Sequence, residues 1–253
     1  MTSVTTRVPS PTPPLFRAKG VGMTHAGLAR RDNEDAVLDG GDGRIWAVAD
    51  GIGGARGGRI AAELSLEPLH DLRLNRPPAE ALCAALEMAN RMVRDRAMRE
   101  GYEGMGATIV VLHVDNKASR ITIAWSGDCR AYLLREKRLR QLTRDHSLIQ
   151  ELVDSGQLNP SEAENHPDSS IVTRAIGGQD TLQAETLSVA AIAGDRYLLS
   201  SDGLGRVLGR SEIATLLQEA ADPDAAVRVL ISETLRGGAP DNVSVVVVDL
   251  VKK

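Results

Sequence analysis

Apolar residues along this chain keep two rhythms. Short, nearly unbroken apolar runs occur at Ile45-Trp46-Ala47-Val48-Ala49, Thr108 to Val114, Ile121 to Trp125, Ala131 to Leu134, Tyr197 to Ser200 and Val243 to Val251. Bounded by Gly, Asp and Asn, they read as strands. Elsewhere apolar residues return every third or fourth position, as one face of a helix requires. This spacing predicts helices over 59–72 (Ile60, Leu64, Leu69), over 78–99 (Leu82, Ala85, Leu86, Ala89, Met92, Val93, Ala97), and at 211–220 and 223–236.

The order of these elements constrains the fold. Gly20 to Asp50 reads as strand, loop, strand, and a glycine cluster (Gly51, Gly53, Gly54, Gly57, Gly58) leads from it into the first helix. The runs at 108–114, 121–125 and 131–134 are separated by short turns and predict an antiparallel meander. Val243 to Val251, almost all valine, predicts a central strand. Strands cluster, with pairs of helices between the clusters, and no regular βαβ alternation is present. That pattern predicts an α+β fold of antiparallel sheets flanked by helices. Residues 145–177 are polar and helical (Leu148, Leu152 and Val153 on one face, Gly156 as a stop, a short helix from Pro160) and are expected to form a flap.

Composition narrows the function. The chain has 253 residues, 42% hydrophobic, enough to bury one large core, so a single domain is expected over 17–253. Residues 1–16, rich in Thr, Ser and Pro, are expected to be a disordered tail. A net charge of -4 and 2% aromatic content offer neither a basic surface nor stacking platforms, which argues against nucleic acid. No stretch approaches the ~18 apolar residues of a membrane span, and the tail has no apolar segment of the signal-peptide kind. Cys83 and Cys129 have no disulfide or metal-ligand spacing, so a cytoplasmic location is expected, and a monomer.

The candidate chemistry lies in four aspartates. Asp50 stands in Ala49-Asp50-Gly51, Asp128 in Ser126-Gly127-Asp128, Asp202 in Ser200-Ser201-Asp202-Gly203 and Asp241 in Pro240-Asp241-Asn242. Singly, each is explained by a turn or a solvated strand end. Jointly, carboxylates at strand ends can converge, and converging carboxylates share protons or hold cations. An oxygen-only donor set favours Mg²⁺ or Mn²⁺ over Zn²⁺.

Taken in order, Arg30-x-x-x-Glu34-Asp35, Asp50-Gly51-Ile52-Gly53-Gly54, Ser126-Gly127-Asp128-Cys129-Arg130, Ser201-Asp202-Gly203-Leu204 and Asp241-Asn242-Val243-Ser244 resemble the metal-dependent serine/threonine protein phosphatases of type 2C, in their compact bacterial form. The resemblance runs from about Gly20 to Val251. It implies a sandwich of two antiparallel sheets with a helix pair on each outer face, a four-layer α/β/β/α arrangement. It further implies that Asp50 bridges two ions, that the Gly51 carbonyl ligates one of them, that Asp202 and Asp241 complete the other, and that Asp128 with Asp202 holds a third.

In this reading Glu34, Asp35 and Asn242 orient metal-bound waters, and Arg30 clamps the substrate phosphate bidentately. Two ions about 3.5 to 4 Å apart activate a water for direct attack on phosphorus, with no phosphoenzyme. The implied function is hydrolysis of phosphoserine and phosphothreonine in proteins, the substrates of a bacterial kinase. The competing reading is a catalytically weak pseudophosphatase that binds partners, although such a protein would usually have lost a ligand.

Two departures stand out. Ile52 occupies the place where eukaryotic members carry a histidine acid, and a side chain without an exchangeable proton cannot protonate a leaving group. Ala55 and Arg59 replace the usual His and Glu of the glycine loop, which alters charge beside the site. His146, in a family-typical motif, is read as a packing or loop-anchoring residue. Cys129 lacks the phosphate loop of a thiol phosphatase.

Overall fold

In the computed structural model, which describes residues 16–40, 44–159, 162, 166–168 and 170–252, ten strands fall into two five-stranded sheets. The first has the order β1 (Phe16–His25), β10 (Val243–Lys252), β9 (Arg196–Ser200), β6 (Arg130–Arg135) and β7 (Arg138–Gln141). The second has the order β2 (Asp35–Leu38), β3 (Ile45–Ile52), β4 (Gly106–Asp115), β5 (Arg120–Ser126) and β8 (Glu185–Ala190). Every pairing is antiparallel.

The near-continuous apolar runs follow from four layers. Trp46 and Val48 of β3 face the inter-sheet core with Val110, Leu112, Leu199, Val246 and Val248, whereas Ala47 and Ala49 face outward into a second core. That second core is closed by helices α1 (Gly54–His70) and α2 (Pro78–Glu100), through Ala61, Leu66, Leu82 and Leu86. On the other side Leu198, Val245 and Val247 pack under α5 (Arg210–Glu219) and α6 (Pro223–Arg236). A central strand buried on both faces has no polar alternation to show. The predicted four-layer α/β/β/α sandwich is the observed one.

Three expectations change. The meander breaks after its second strand: β4 pairs with β5, but β6 crosses to the first sheet and pairs with β9 and β7. The crossing is made at Gly127, whose φ of 107° suits glycine and where a Cβ would lie 2.3 Å from the Thr108 Cβ. Helix α1 begins at Gly54 and takes in Gly57 and Gly58, which their composition had marked as loop; packing against β3 overrides their weak propensity. Phe16, expected in the tail, is buried as the first residue of β1, paired with Lys252. The remainder of the tail and the helix start at Pro160 lie outside the described residues. Within the expected flap, α3 (Leu148–Asp154) is capped by the Ser147 side chain and ends before Gly156, whose φ is 72°.

Candidate metal centre and phosphate pocket

Antiparallel pairing brings the separated aspartates together. Asp50 lies opposite Asp35 across the β2–β3 ladder and opposite Thr108 across β3–β4. In the other sheet, Asp202 follows β9 as the first residue of the short helix α4 (Asp202–Gly205), and Asp241 precedes the adjacent β10. Asp128 sits at the crossing between the sheets. The strand ends therefore meet around a cleft of about 420 Å³, lined by Arg30, Glu34, Asp50, Gly51, Asp128, Asp202, Asp241 and Asn242. Asp35, the one predicted site residue outside that lining, is buried next to it. Ser170, Val172 and Arg206 join the wall from places the motifs did not indicate.

The two loops flanking β10 and β2 are fixed by specific bonds. The Asn242 amide donates to the carbonyls of Ala26 (2.8 Å) and Asp32 (3.0 Å) and accepts from the Glu34 N–H (2.8 Å). Its side chain thus braces the Arg30–Glu34 loop through two backbone groups and ties it to the Ala26 carbonyl. Ser201 Oγ donates to Asp35 Oδ2 (2.8 Å) and accepts from the Ser244 N–H (3.0 Å), joining the two sheets beneath the site. Gly203 approaches so closely that a Cβ there would lie 1.9 Å from the Asn242 carbonyl oxygen. His146 holds the Asp128 turn from behind: its Nδ1 accepts the Gly127 N–H (3.1 Å), and its own N–H donates to the Gly127 carbonyl (3.0 Å). Its ring stacks on Trp125, and burial, with the nearby Arg174 charge, pushes its pKa down. Thr173 reaches the same residue, its N–H donating to the His146 carbonyl (2.8 Å).

Burial, reinforced by the crowding of like charge, dominates the electrostatics. Burial, then the charges of Asp35, Asp202, Asp128 and Asp241, push the Asp50 carboxyl well above the carboxylate range. Burial pushes Asp35 up to about 7, with Asp202 and Asp241 adding to the effect while the Ser244 and Ser201 hydroxyls oppose it. Burial and the Asp202 charge push Asp128 up to about 7 as well. Burial also raises Glu34.

Two of the carboxylates have found cations within the protein. Arg30 donates to Asp241 through Nε (2.9 Å) and Nη2 (3.0 Å). Arg206 donates to Asp202 Oδ2 through Nε (3.0 Å) and Nη2 (2.5 Å). No three His, Cys, Asp or Glu residues among those described stand as a ready-made ligand cage.

The donor set nevertheless fits hard divalent ions. It is entirely oxygen, burial and mutual repulsion push its Asp35 and Asp50 carboxyls up in a way that a bound cation would relieve, and the buried Asp35 Oδ1 has no hydrogen-bond partner. Arg206 escaped the motif reading because its only local signal is its position four residues after Asp202, one helical turn along.

Carboxylates massed where two antiparallel sheets end, beside a guanidinium able to grip phosphate, define the class of metal-dependent phosphatases. The chain belongs to the protein phosphatase 2C family, whose model matches residues 20–152. It is 40% identical over 230 residues to the serine/threonine protein phosphatase PstP of Mycobacterium tuberculosis, covering 89% of this chain and 43% of that protein. It is 34% identical over 238 residues to the protein phosphatase PhpP of Streptococcus pneumoniae, covering 90% of this chain and 96% of that protein. The crystal structure of the PstP catalytic domain in complex with two manganese ions superposes with a TM-score of 0.84 at 36% identity, covering 94% of this chain and all of that one. The chain thus spans less than half the length of the mycobacterial relative and nearly all of the streptococcal one.

Proposed function

We propose that this chain is a Mn²⁺- or Mg²⁺-dependent protein phosphatase that hydrolyses phosphoserine and phosphothreonine, and that residues 17–253 form its single catalytic domain with 145–177 as a flap. The observation that carries this reading is the convergence of Asp35, Asp128, Asp202 and Asp241 on Asp50. Asp50, the Gly51 carbonyl, Asp202 and Asp241 would hold two ions, and Asp128 with Asp202 a third. Bound there, such ions supply Lewis-acid activation of water and neutralise charge on the phosphoryl oxygens.

The chain's own residues do the rest. Arg30 swings from Asp241 to bind two phosphate oxygens; its side chain is 59% exposed and free to turn toward the cleft. Glu34 and Asp35 accept hydrogen bonds from water at the pocket floor, and Asn242 keeps their loop in register. Ile52 and Val172 give the cleft an apolar part of its wall. Ile52 has no proton to give, so the leaving alkoxide draws its proton from water. The partners are phosphoproteins, substrates of a bacterial serine/threonine kinase, met in the cytoplasm by a monomeric enzyme. No helix among the described residues is long and apolar enough to cross a membrane.

Phosphate release from a phosphothreonine peptide, measured with Mn²⁺, with EDTA and with Asp202→Asn, tests the proposal. Activity should require both the metal and Asp202, with the variant reduced at least a hundredfold, about 2.7 kcal/mol of barrier. No release with any metal from a folded protein would transfer the reading to a pseudophosphatase.

A further inference from the structure

Arg206 lines the cleft but belongs to none of the motifs that define it. It ends α4, and its N–H donates to the Asp202 carbonyl (3.1 Å), so its side chain rises from the same helical turn as the Asp202 carboxylate. From there both Nε and Nη2 reach Asp202 Oδ2, and Nε stands 3.7 Å from Asp241 Oδ2. One guanidinium therefore faces two of the carboxylates expected to bind metal. Its side chain is 34% exposed, against 59% for Arg30, which is paired with Asp241. Arg30 can leave for a phosphate. Arg206 is tethered a single turn from Asp202, so its effective concentration at that carboxylate is high whatever the solution contains.

We propose that Arg206 is an internal counter-cation that competes with the metal for Asp202 and Asp241 and thereby sets the metal affinity of the centre. The inference rests on the metal site described above. A divalent ion entering between Asp202 and Asp241 must turn the guanidinium out, because each Asp202 lone pair that it occupies is withdrawn from a metal. The apparent dissociation constant is then the intrinsic one divided by the fraction of molecules in which Arg206 has let go. The same contact shields part of the carboxylate cluster when no metal is present. Removing the guanidinium should act in opposite directions on the two states: the metal-free protein loses a counter-charge, while the loaded protein loses only a competitor.

Calorimetric titration of Mn²⁺ into the metal-free protein, with thermal unfolding in EDTA and in saturating Mn²⁺, tests this without reference to turnover. Arg206→Ala and Arg206→Gln should each bind Mn²⁺ about tenfold more tightly, the value of one charge-assisted pair at a partly exposed site. Arg206→Lys, a point charge without the planar fork, should fall between them and wild type. Both neutral variants should melt lower than wild type in EDTA and level with it in Mn²⁺. Arg228→Ala, which removes an exposed arginine paired with Asp224 four residues before it, should leave the affinity unchanged and so exclude a net-charge effect.

Equal or weaker Mn²⁺ binding by Arg206→Ala and Arg206→Gln would overturn the inference, weaker binding meaning that the arginine positions Asp202 for the metal. If wild type bound no Mn²⁺, the metal-site reading itself would fall, and this inference with it.

Discussion

Replacing Asp35 with Asn should stabilise the protein when no metal is present, by an amount that grows with pH. Asp35 is buried, its Oδ1 has no partner, and its carboxyl is raised from 3.8 to about 7 by burial and by Asp202 and Asp241. A carboxyl whose folded pKa lies above its unfolded value gives stability that is fully present below the unfolded pKa and lost as pH rises through the folded one. The window therefore runs from about pH 4 to about pH 7. Moving a carboxyl between those values corresponds to roughly 4 kcal/mol, the upper bound for this site.

Asn has the shape of the protonated acid and does not titrate. The difference in unfolding free energy between Asp35→Asn and wild type should therefore be near zero at pH 4 and rise to roughly 2 to 4 kcal/mol at pH 7. Urea denaturation in EDTA, followed by circular dichroism at half-unit pH intervals, measures it. In saturating Mn²⁺ the advantage should shrink or reverse, because the charge then faces a cation. A difference that is flat with pH in EDTA, or that favours wild type at pH 7, would refute the electrostatic argument.

Two other substitutions separate brace from site. Asn242→Ala leaves the Glu34 N–H and the carbonyls of Ala26 and Asp32 without partners, so it should cost roughly 2 to 3 kcal/mol in urea denaturation and raise KM for a phosphopeptide more than it lowers kcat, by loosening the Arg30 loop. Far from the cleft, Arg135 donates to both oxygens of the buried Asp195 (2.7 and 2.6 Å), so Arg135→Ala should cost roughly 3 to 5 kcal/mol and leave kcat and Mn²⁺ affinity unchanged at a temperature where the variant is folded.

The sandwich was legible in the chain because its central strands are covered on both faces and so carry long apolar runs, and because α2 keeps its apolar face from Ala81 to Ala97. What escaped was local polarity at sheet edges. Arg138-Leu139-Arg140-Gln141 and Glu185 to Ala190 form the edge strands β7 and β8, and their exposed alternate residues give no run to detect. The transfer of β6 to the other sheet was equally hidden, since a turn at Gly127 looks the same whether the chain returns to its neighbour or leaves it. At the site, the order of the aspartate motifs revealed which residues gather. The bonds they make there, Ser201 to Asp35 across the sheets and Arg206 to Asp202, depend on three-dimensional approach, which motif order does not show.

The seam between the sheets gives the centre a mechanical side. Asp35 and Asp50 belong to one sheet, and Asp202 and Asp241 flank neighbouring strands of the other, with the Ser201–Asp35 and Asn242–Glu34 bonds as polar ties between them there. A cation held by Asp50 on one side and by Asp202 and Asp241 on the other would rivet two leaves that adhere mainly by apolar packing. Loading the site would then slow the splaying of the leaves at that edge, and hydrogen exchange at the end of β3 and the start of β10 would register metal occupancy before any substrate arrived.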